Sequence, residues 1–287
     1  MSFRRALGAI AAYFGLITAC AAPTEQAQPQ IAPATTTYLG NEGLMVSDGF
    51  GKVMFDPLFP MGFGVYQTVP EDMHAAIMAA EAPYDSVDAI LVSHMHPDHF
   101  DVNDIITYLE THSDTRLFVP TQAADWMKQE TDPDNPIFDQ VTAIPLEYGD
   151  APLTLTVGQT KIDVVRIPHA GWPDRADVSN LVYRVTLPGG DTVMHMGDAD
   201  PDDTHFAKHP DHWPITRTDT AYPPYWFFLY EAGAGILENR INADRSVGIH
   251  VPMELPPELL ADGHPHLHIP GDQDQVSGHA HTHDDPE

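Results

Sequence analysis

Ala89-Ile90-Leu91-Val92-Ser93-His94-Met95-His96-Pro97-Asp98-His99-Phe100 passes from unbroken apolar residues into three histidines and an aspartate within six positions. Asp88 to Val92 is short, β-branched and continuously apolar, the pattern of a strand buried on both faces of a sheet covered by helices. Alternation along the chain aims His94 and His96 the same way, while Asp98 and His99 fall on the following turn. One short segment can thus serve two neighbouring ions. Neutral imidazole and carboxylate suit Zn2+ and similar divalent cations. The competing reading is a surface loop that happens to be rich in histidine, but this many ligating groups directly after a buried strand is a costly arrangement without a ligand.

The 287 residues are 43% hydrophobic, enough for one large domain with a substantial core. A formal net charge of −29 repels phosphate backbones and anionic headgroups, so a small-molecule substrate is expected and nucleic acid is not. Bound divalent cations would reverse the field locally, which leaves an anionic substrate open at the site itself. The single cysteine is Cys20. Arg4 and Arg5 precede an apolar segment from Ala6 to Ala19 that is short for a membrane span and ends in Leu16-Ile17-Thr18-Ala19-Cys20. This resembles a bacterial lipoprotein signal, which implies cleavage before Cys20 and a lipid anchor on it. Ala21 in the next position favours the outer membrane, facing the periplasm. An ordinary secretory signal cut near Ala19-Cys20-Ala21 is the alternative. With no other cysteine, a metal site has to be built from histidine and carboxylate alone.

The order expected along the chain is a signal peptide over 1–19, a Pro/Gln/Ala/Thr tether over 20–35, one folded domain over 36–260 and a His-rich, disordered tail over 261–287. The tail's histidines (His264, His266, His268, His279, His281, His283) are read as a weak metal-binding or merely solvated set. Within the domain, Leu44 to Ser47 and Lys52 to Phe55 flank a Gly-containing turn and predict a hairpin ending at Asp56-Pro57. Leu58 to Val69 reads as a lid or a loop packed on the core. Glu71–Ala80, Asp101–His112 and Thr121–Glu130 carry helical patterns, the second with Asp101 placed to cap its start. From Val141 to Ile167 the pattern turns to β and delivers His169. A strand over Thr192–Met196 leads to Asp198, Tyr222 to Leu237 is aromatic and expected to be helical after Pro224, and a buried strand over Ser246–Pro252 contains His250. Strand and helix alternate as in an α/β sandwich.

The His-x-His-x-Asp-His pattern, flanked by Leu-Val-Ser and Phe, resembles the metallo-β-lactamase superfamily, and most closely its branch of ascorbate-6-phosphate lactonase and N-acylethanolamine phospholipase D-like enzymes. The resemblance implies an αββα sandwich in a single domain. It also implies two divalent ions, Zn2+ first with Mn2+ or Fe2+ as alternatives. His94, His96 and His169 match one ion position, Asp98, His99 and His250 the second, and Asp198 the carboxylate bridging both, with Asp200 as its rival. His195 is read as structural. A hydroxide shared by the two ions would attack the substrate, with Asp98 carrying the proton to the leaving group. Tyr222 and Tyr225 are candidate donors to the substrate oxygen, against plain core packing. The aromatic residues Phe59, Phe63, Tyr66, Trp226, Phe227, Phe228 and Tyr230 suit an apolar pocket, and hence a carboxylic ester or lactone. Two alternatives stand beside it: a phosphodiesterase acting on a lipid-like or small phosphodiester, and a non-catalytic zinc-binding lipoprotein of the cell surface.

Overall fold

Two twisted β-sheets face each other across a shared apolar core in the computed structural model, which describes residues 33–261 and 263–276. The first sheet is built from β1 (Thr35–Gly40), β2 (Gly43–Ser47), β3 (Lys52–Phe55), β4 (Ala89–Leu91), β5 (Arg116–Pro120) and β6 (Val141–Ile144). The second contains β7 (Leu153–Val157), β8 (Thr160–Arg166), β9 (Leu181–Thr186), β10 (Thr192–His195), β11 (Thr218–Tyr222) and β12 (Ala243–Ser246). A last strand, β13 (Gln273–Gln275), returns to the edge of the first sheet beside β1, giving the order β13-β1-β2-β3-β4-β5-β6. The second sheet runs β12-β11-β10-β9-β8-β7.

Alternation places Tyr38, Leu44, Val46, Val53, Phe55 and Leu91 of the first sheet against Ile162, Val164, Tyr183, Val185 and Val193 of the second. The opposite face of the first sheet (Leu39, Met45, Met54, Ile90, Val92) is covered by α1 (Glu71–Met78), α2 (Val102–Thr111) and α3 (Thr121–Glu130). The outer face of the second sheet (Val165, Val182, Met194, Ala221) packs on α4 (Asp203–Phe206), α5 (Trp226–Leu229) and α6 (Glu231–Asn239), through Phe206, Phe227 and Ile236. A short α7 spans Pro257–Ala261. The layers are therefore α, β, β, α, as the sequence suggests. Asp101 caps α2, its carboxylate accepting from the backbone N–H groups of Asn103 and Asp104 at 2.9 Å.

Three expectations are corrected. The chain is ordered well past residue 260: Leu267 and Val276 are buried in the inter-sheet core and β13 pairs antiparallel with β1, Thr36 opposite Asp274. Two apolar anchors and a free strand edge suffice to hold a segment whose composition is otherwise polar. Tyr222 ends β11, and the helical stretch expected after Pro224 is not continuous but breaks at Tyr230 into two short helices. The expected strand over Ser246–Pro252 stops at Ser246, and His250 lies in the connection beyond it with a left-handed backbone (φ 56°). Cys20, the signal segment, most of the tether, and His279, His281 and His283 lie outside the described residues.

Candidate metal centre

The strand ends meet at one edge of the sandwich. After β4 come Ser93 and the loop carrying His94, His96, Asp98 and His99. His169 follows β8, Asp198 follows β10 and His250 follows β12. His94, His99, His169, Asp98, Asp198 and His250 are buried, and His96 is half-buried.

The seven side chains form two groups joined by one residue. His94 Nε2 and His169 Nε2 stand 3.0 and 3.1 Å from His96 Nδ1, and His169 Nε2 is 3.1 Å from Asp198 Oδ2. On the other side, Asp198 Oδ1 lies 3.4 Å from His99 Nε2 and 3.2 Å from His250 Nε2. Asp98 Oδ2 is 3.7 Å from His99 Nε2 and 3.6 Å from His250 Nε2. One oxygen of Asp198 thus faces each group. Ligands about 2.1 Å from a tetrahedral ion stand about 3.4 Å from one another, so these separations fit two divalent cations. The polar inventory agrees. His99 Nε2, His250 Nε2 and Asp198 Oδ1 are buried without a hydrogen-bond partner, an expensive state that a coordinated cation relieves.

Neighbours fix the rings. His99 Nδ1 donates to Asp56 Oδ2 at 2.9 Å, and Ser93 Oγ donates to the same oxygen at 2.5 Å while standing 2.9 Å from His94 Nδ1. His169 Nδ1 donates to its neighbour's carbonyl, Ala170 O, at 2.8 Å. Each of these contacts holds a proton on Nδ1 and leaves the Nε2 lone pair facing inward, the tautomer a cation needs. Burial lowers the pKa of His94 well below the usual imidazole range and that of His96 in the same direction, keeping both neutral. Burial alone would raise Asp98 and Asp198, but His250 and His99 outweigh it and both carboxyls are held below their ordinary range. For His99 burial is likewise overcome, by Asp198 and Asp56, and its pKa rises.

Some residues that build the site are not conspicuous in the sequence. Asp56 closes the β2–β3 hairpin at φ 40° and accepts from Ser93 N at 2.7 Å, so one carboxylate orients two of the histidines. Asn41, also left-handed at φ 42°, donates from Nδ2 to Asp98 O at 3.0 Å and accepts from His250 N through its carbonyl, also at 3.0 Å. Non-glycine residues at positive φ are uncommon and gather where geometry is dictated by function. Here Asn41, Asp56 and His250 are all of this kind. The signal in sequence is faint: an Asn-Glu-Gly turn and an Asp-Pro, ordinary turn chemistry.

Of the other candidates, His195 is structural, stacked on Phe55 with ring centroids 4.9 Å apart and its Nε2 donating to Glu42 O at 3.0 Å. Asp200 does not compete for the bridge; its Oδ2 accepts from Gly171 N at 3.1 Å and Trp172 N at 3.2 Å, tying down the loop that bears His169. Tyr222 is corrected: it is fully buried and its hydroxyl donates to Thr36 Oγ1 at 2.6 Å, with Asp274 Oδ2 at 3.0 Å, a bridge between the two sheets. Tyr225 is half-buried. Tyr66 is the phenol at the site, its ring edge-on to His250 at 4.1 Å, with Trp226 on the same imidazole at 5.2 Å. Burial, Tyr225 and the carboxylates of Asp198 and Asp98 push the Tyr66 hydroxyl above its ordinary range, so it stays protonated. Leu58 and Phe59 anchor the Tyr66 loop in the core, while Met61, Phe63 and Val65 are exposed, next to exposed Met253 through the Met253 N to Val65 O bond. The loop is therefore both core and rim.

Among solved structures, the chain is similar to the metallo-beta-lactamase fold protein YhfI from Bacillus subtilis, at 15% identity over 85% of this chain and 99% of that one, with a TM-score of 0.56. It is similar to Igni18, a novel metallo hydrolase from the archaeon Ignicoccus hospitalis, at 13% identity over 86% and 99%, TM-score 0.56. An isothiocyanate hydrolase from Delia radicum gut bacteria matches at 14% identity over 85% and 100%, TM-score 0.54. These likenesses concern the fold. Residues 52–251, well over half of the chain, match the family model described as a beta-lactamase superfamily domain. By that match, and by the αββα sandwich that carries its ligand set, the chain belongs to the beta-lactamase superfamily and has the metallo-β-lactamase fold.

Proposed function

We propose that the chain is a metal-dependent hydrolase with a dinuclear centre, acting on a carboxylic ester or lactone that carries an apolar portion. The observation that carries this reading is Asp198, whose two oxygens each face a separate cluster of imidazoles. His94, His96 and His169 with Asp198 Oδ2 would hold one ion, and Asp98, His99 and His250 with Asp198 Oδ1 the other. Zn2+ suits both sets, and Mn2+ or Fe2+ suits the second. When bound, the ions supply Lewis acidity to a substrate oxygen and acidify a water towards neutrality.

The chain's own residues do the rest. Asp56 and Ser93 hold His94 and His99 in the required tautomer. Asp98, ionised and fixed by Asn41, receives a proton at the oxygen the imidazoles leave free and passes it to the leaving group. The Tyr66 phenol, protonated at neutral pH, donates to the developing oxyanion, with Tyr225 beside it. Phe63, Val65 and Met253 offer an apolar rim for an acyl or aryl group. An anchor at Cys20 belongs to the same proposal and rests on the sequence pattern alone; Cys20→Ala releasing the protein from membranes is its test.

A panel of lactones, aryl esters and bis-aryl phosphodiesters, run on wild type and Asp98→Ala, tests the reaction class. The expected outcome is ester or lactone turnover that falls about 100-fold or more in the variant. Turnover of the phosphodiester alone would replace the substrate class, and activity untouched by the substitution would place the chemistry elsewhere.

A further inference from the structure

The Tyr66 loop carries no charge. From Pro57 to Pro70 there is no Asp, Glu, Lys or Arg, in a chain where 19% of residues are charged and acids outnumber bases 42 to 13. Its ends are core, with Leu58, Phe59 and Val69 buried. Its tip is a tight turn: Gly62 O accepts from both Val65 N and Tyr66 N at 2.8 Å, Phe63 is left-handed at φ 52°, and a Cβ on Gly64 would meet nothing within 4 Å. A phenylalanine at positive φ is strained, and this one stands 56% exposed. Tyr66 pairs antiparallel with Pro252 and Met253 N donates to Val65 O at 2.8 Å, which joins the tip to the segment after His250. Met61, Phe63, Val65 and Met253 are four of the ten large hydrophobic side chains exposed among the described residues. They form one ledge beside the His250 imidazole that Tyr66 touches. Exposed apolar residues scattered singly need no explanation, but a ledge of four at the mouth of a site does.

We propose that this ledge docks on a lipid bilayer with neutral, zwitterionic headgroups, which brings the mouth of the candidate metal centre against the lipid. Charge selects the partner. A surface at −29 repels anionic lipid and acidic proteins, while a loop with no carboxylate from Pro57 to Pro70 gives a basic protein nothing to pair with. A neutral bilayer is free of both objections, and Phe and Met side chains on a protruding turn gain by leaving water for its acyl chains. Reach permits it. Thirteen residues separate Cys20 from Pro33, the first described residue. Extended, they reach at most about 45 Å, more than the roughly 20 Å of β1 that lie between Thr35 and the metal edge. The anchor at Cys20 is part of the reading above; the ledge does not depend on it. The ledge also borders the site whether or not that site turns over an ester, so docking and the hydrolase reading stand or fall separately.

The test mixes the full chain with phosphatidylcholine vesicles brominated on their acyl chains and follows a reporter indole in Phe63→Trp, with the wild-type emission subtracted. Phe50→Trp is the control, because Phe50 is more exposed still, at 68%, but lies on the β2–β3 turn at the opposite end of the strands. Whatever else holds the chain to a vesicle acts on both variants alike. Emission from Phe63→Trp is expected to shift to the blue and to be quenched several-fold more strongly than emission from Phe50→Trp. Met61→Trp, a second reporter on the ledge, should behave as Phe63→Trp does. Equal quenching at the two ends, or none at the ledge, overturns the docking. A blue shift of Phe63→Trp without lipid, in a chain that sediments at twice its mass, also overturns it and gives the ledge to a second copy of the chain.

Discussion

Gly197 shows how little room the centre leaves. A Cβ there would come within 2.3 Å of Asn180 Oδ1 and 2.7 Å of Ser93 Cβ, and the residue is left-handed at φ 53°. Asn180 Oδ1 accepts from Asp198 N at 3.0 Å, so any displacement of Asn180 moves Asp198. Gly197→Ala should destabilise the fold by about 1–3 kcal/mol and weaken metal binding; a variant with unchanged denaturant midpoint and metal content would show the constraint to be slack. Tyr66 and Tyr222 make a contrasting pair. Tyr66→Phe should lower kcat about 100-fold with little change in stability, because it removes the hydroxyl proposed to donate to the substrate oxygen. Tyr222→Phe should leave kinetics unchanged and cost about 1 kcal/mol through the lost inter-sheet hydrogen bond; the reverse pattern would restore Tyr222 to the site. Sequence could not separate these two phenols, since an aromatic residue ending a buried strand and one on an aromatic loop look alike until their neighbours are known. The contiguous candidate ligands from His94 to His99 were legible because one loop holds them. Asn41 and Asp56 were not, because their roles arise only when the β1–β2 turn and the end of β3, far back in the chain, fold against that loop.

At the scale of elements, the segment carrying β13 is held by Leu267 and Val276 in the core and by a salt bridge from Arg245 to Asp274. Ending the chain at residue 262 removes both apolar anchors and bares the edge of β1. A loss of about 3–6 kcal/mol in urea unfolding is expected at about 1.5–3 kcal/mol per large buried side chain, against no loss if the segment were a loose tail. Its polar composition concealed this, since two anchors leave no periodicity to read. The β7–β8 hairpin offers a pH test. Asp163 stands opposite Thr154, accepts from its Oγ1 at 2.6 Å and pairs with Lys161 Nζ at 2.8 Å. Burial would raise this carboxyl, but Lys161 and Thr154 outweigh it and lower it. A depressed folded pKa stabilises the native state above the unfolded value of about 3.9, and that contribution is lost as pH falls through the folded pKa. Wild type should therefore lose more stability than Asp163→Asn on acidification below about pH 4, and parallel curves would contradict the assignment.

At the scale of the molecule, the layered sandwich was legible from strand and helix alternation, and the convergence of four strand ends followed from it once the resemblance supplied the ligand order. The fold that results gathers the buried carboxylates Glu42, Asp56, Asp98 and Asp198 at one edge of a chain with a net charge of −29. Cations bound there stabilise the native state by mass action, because the unfolded chain offers no preformed site. Chelation should accordingly lower the unfolding temperature. The dinuclear centre is tested most directly by the metal content of the purified, folded chain alongside Asp198→Asn, measured by elemental analysis. Two divalent ions per wild-type chain, falling to one or none when the bridging carboxylate loses its charge, is the predicted result; a wild type with no bound ion, or an Asp198→Asn variant that keeps both, would contradict it.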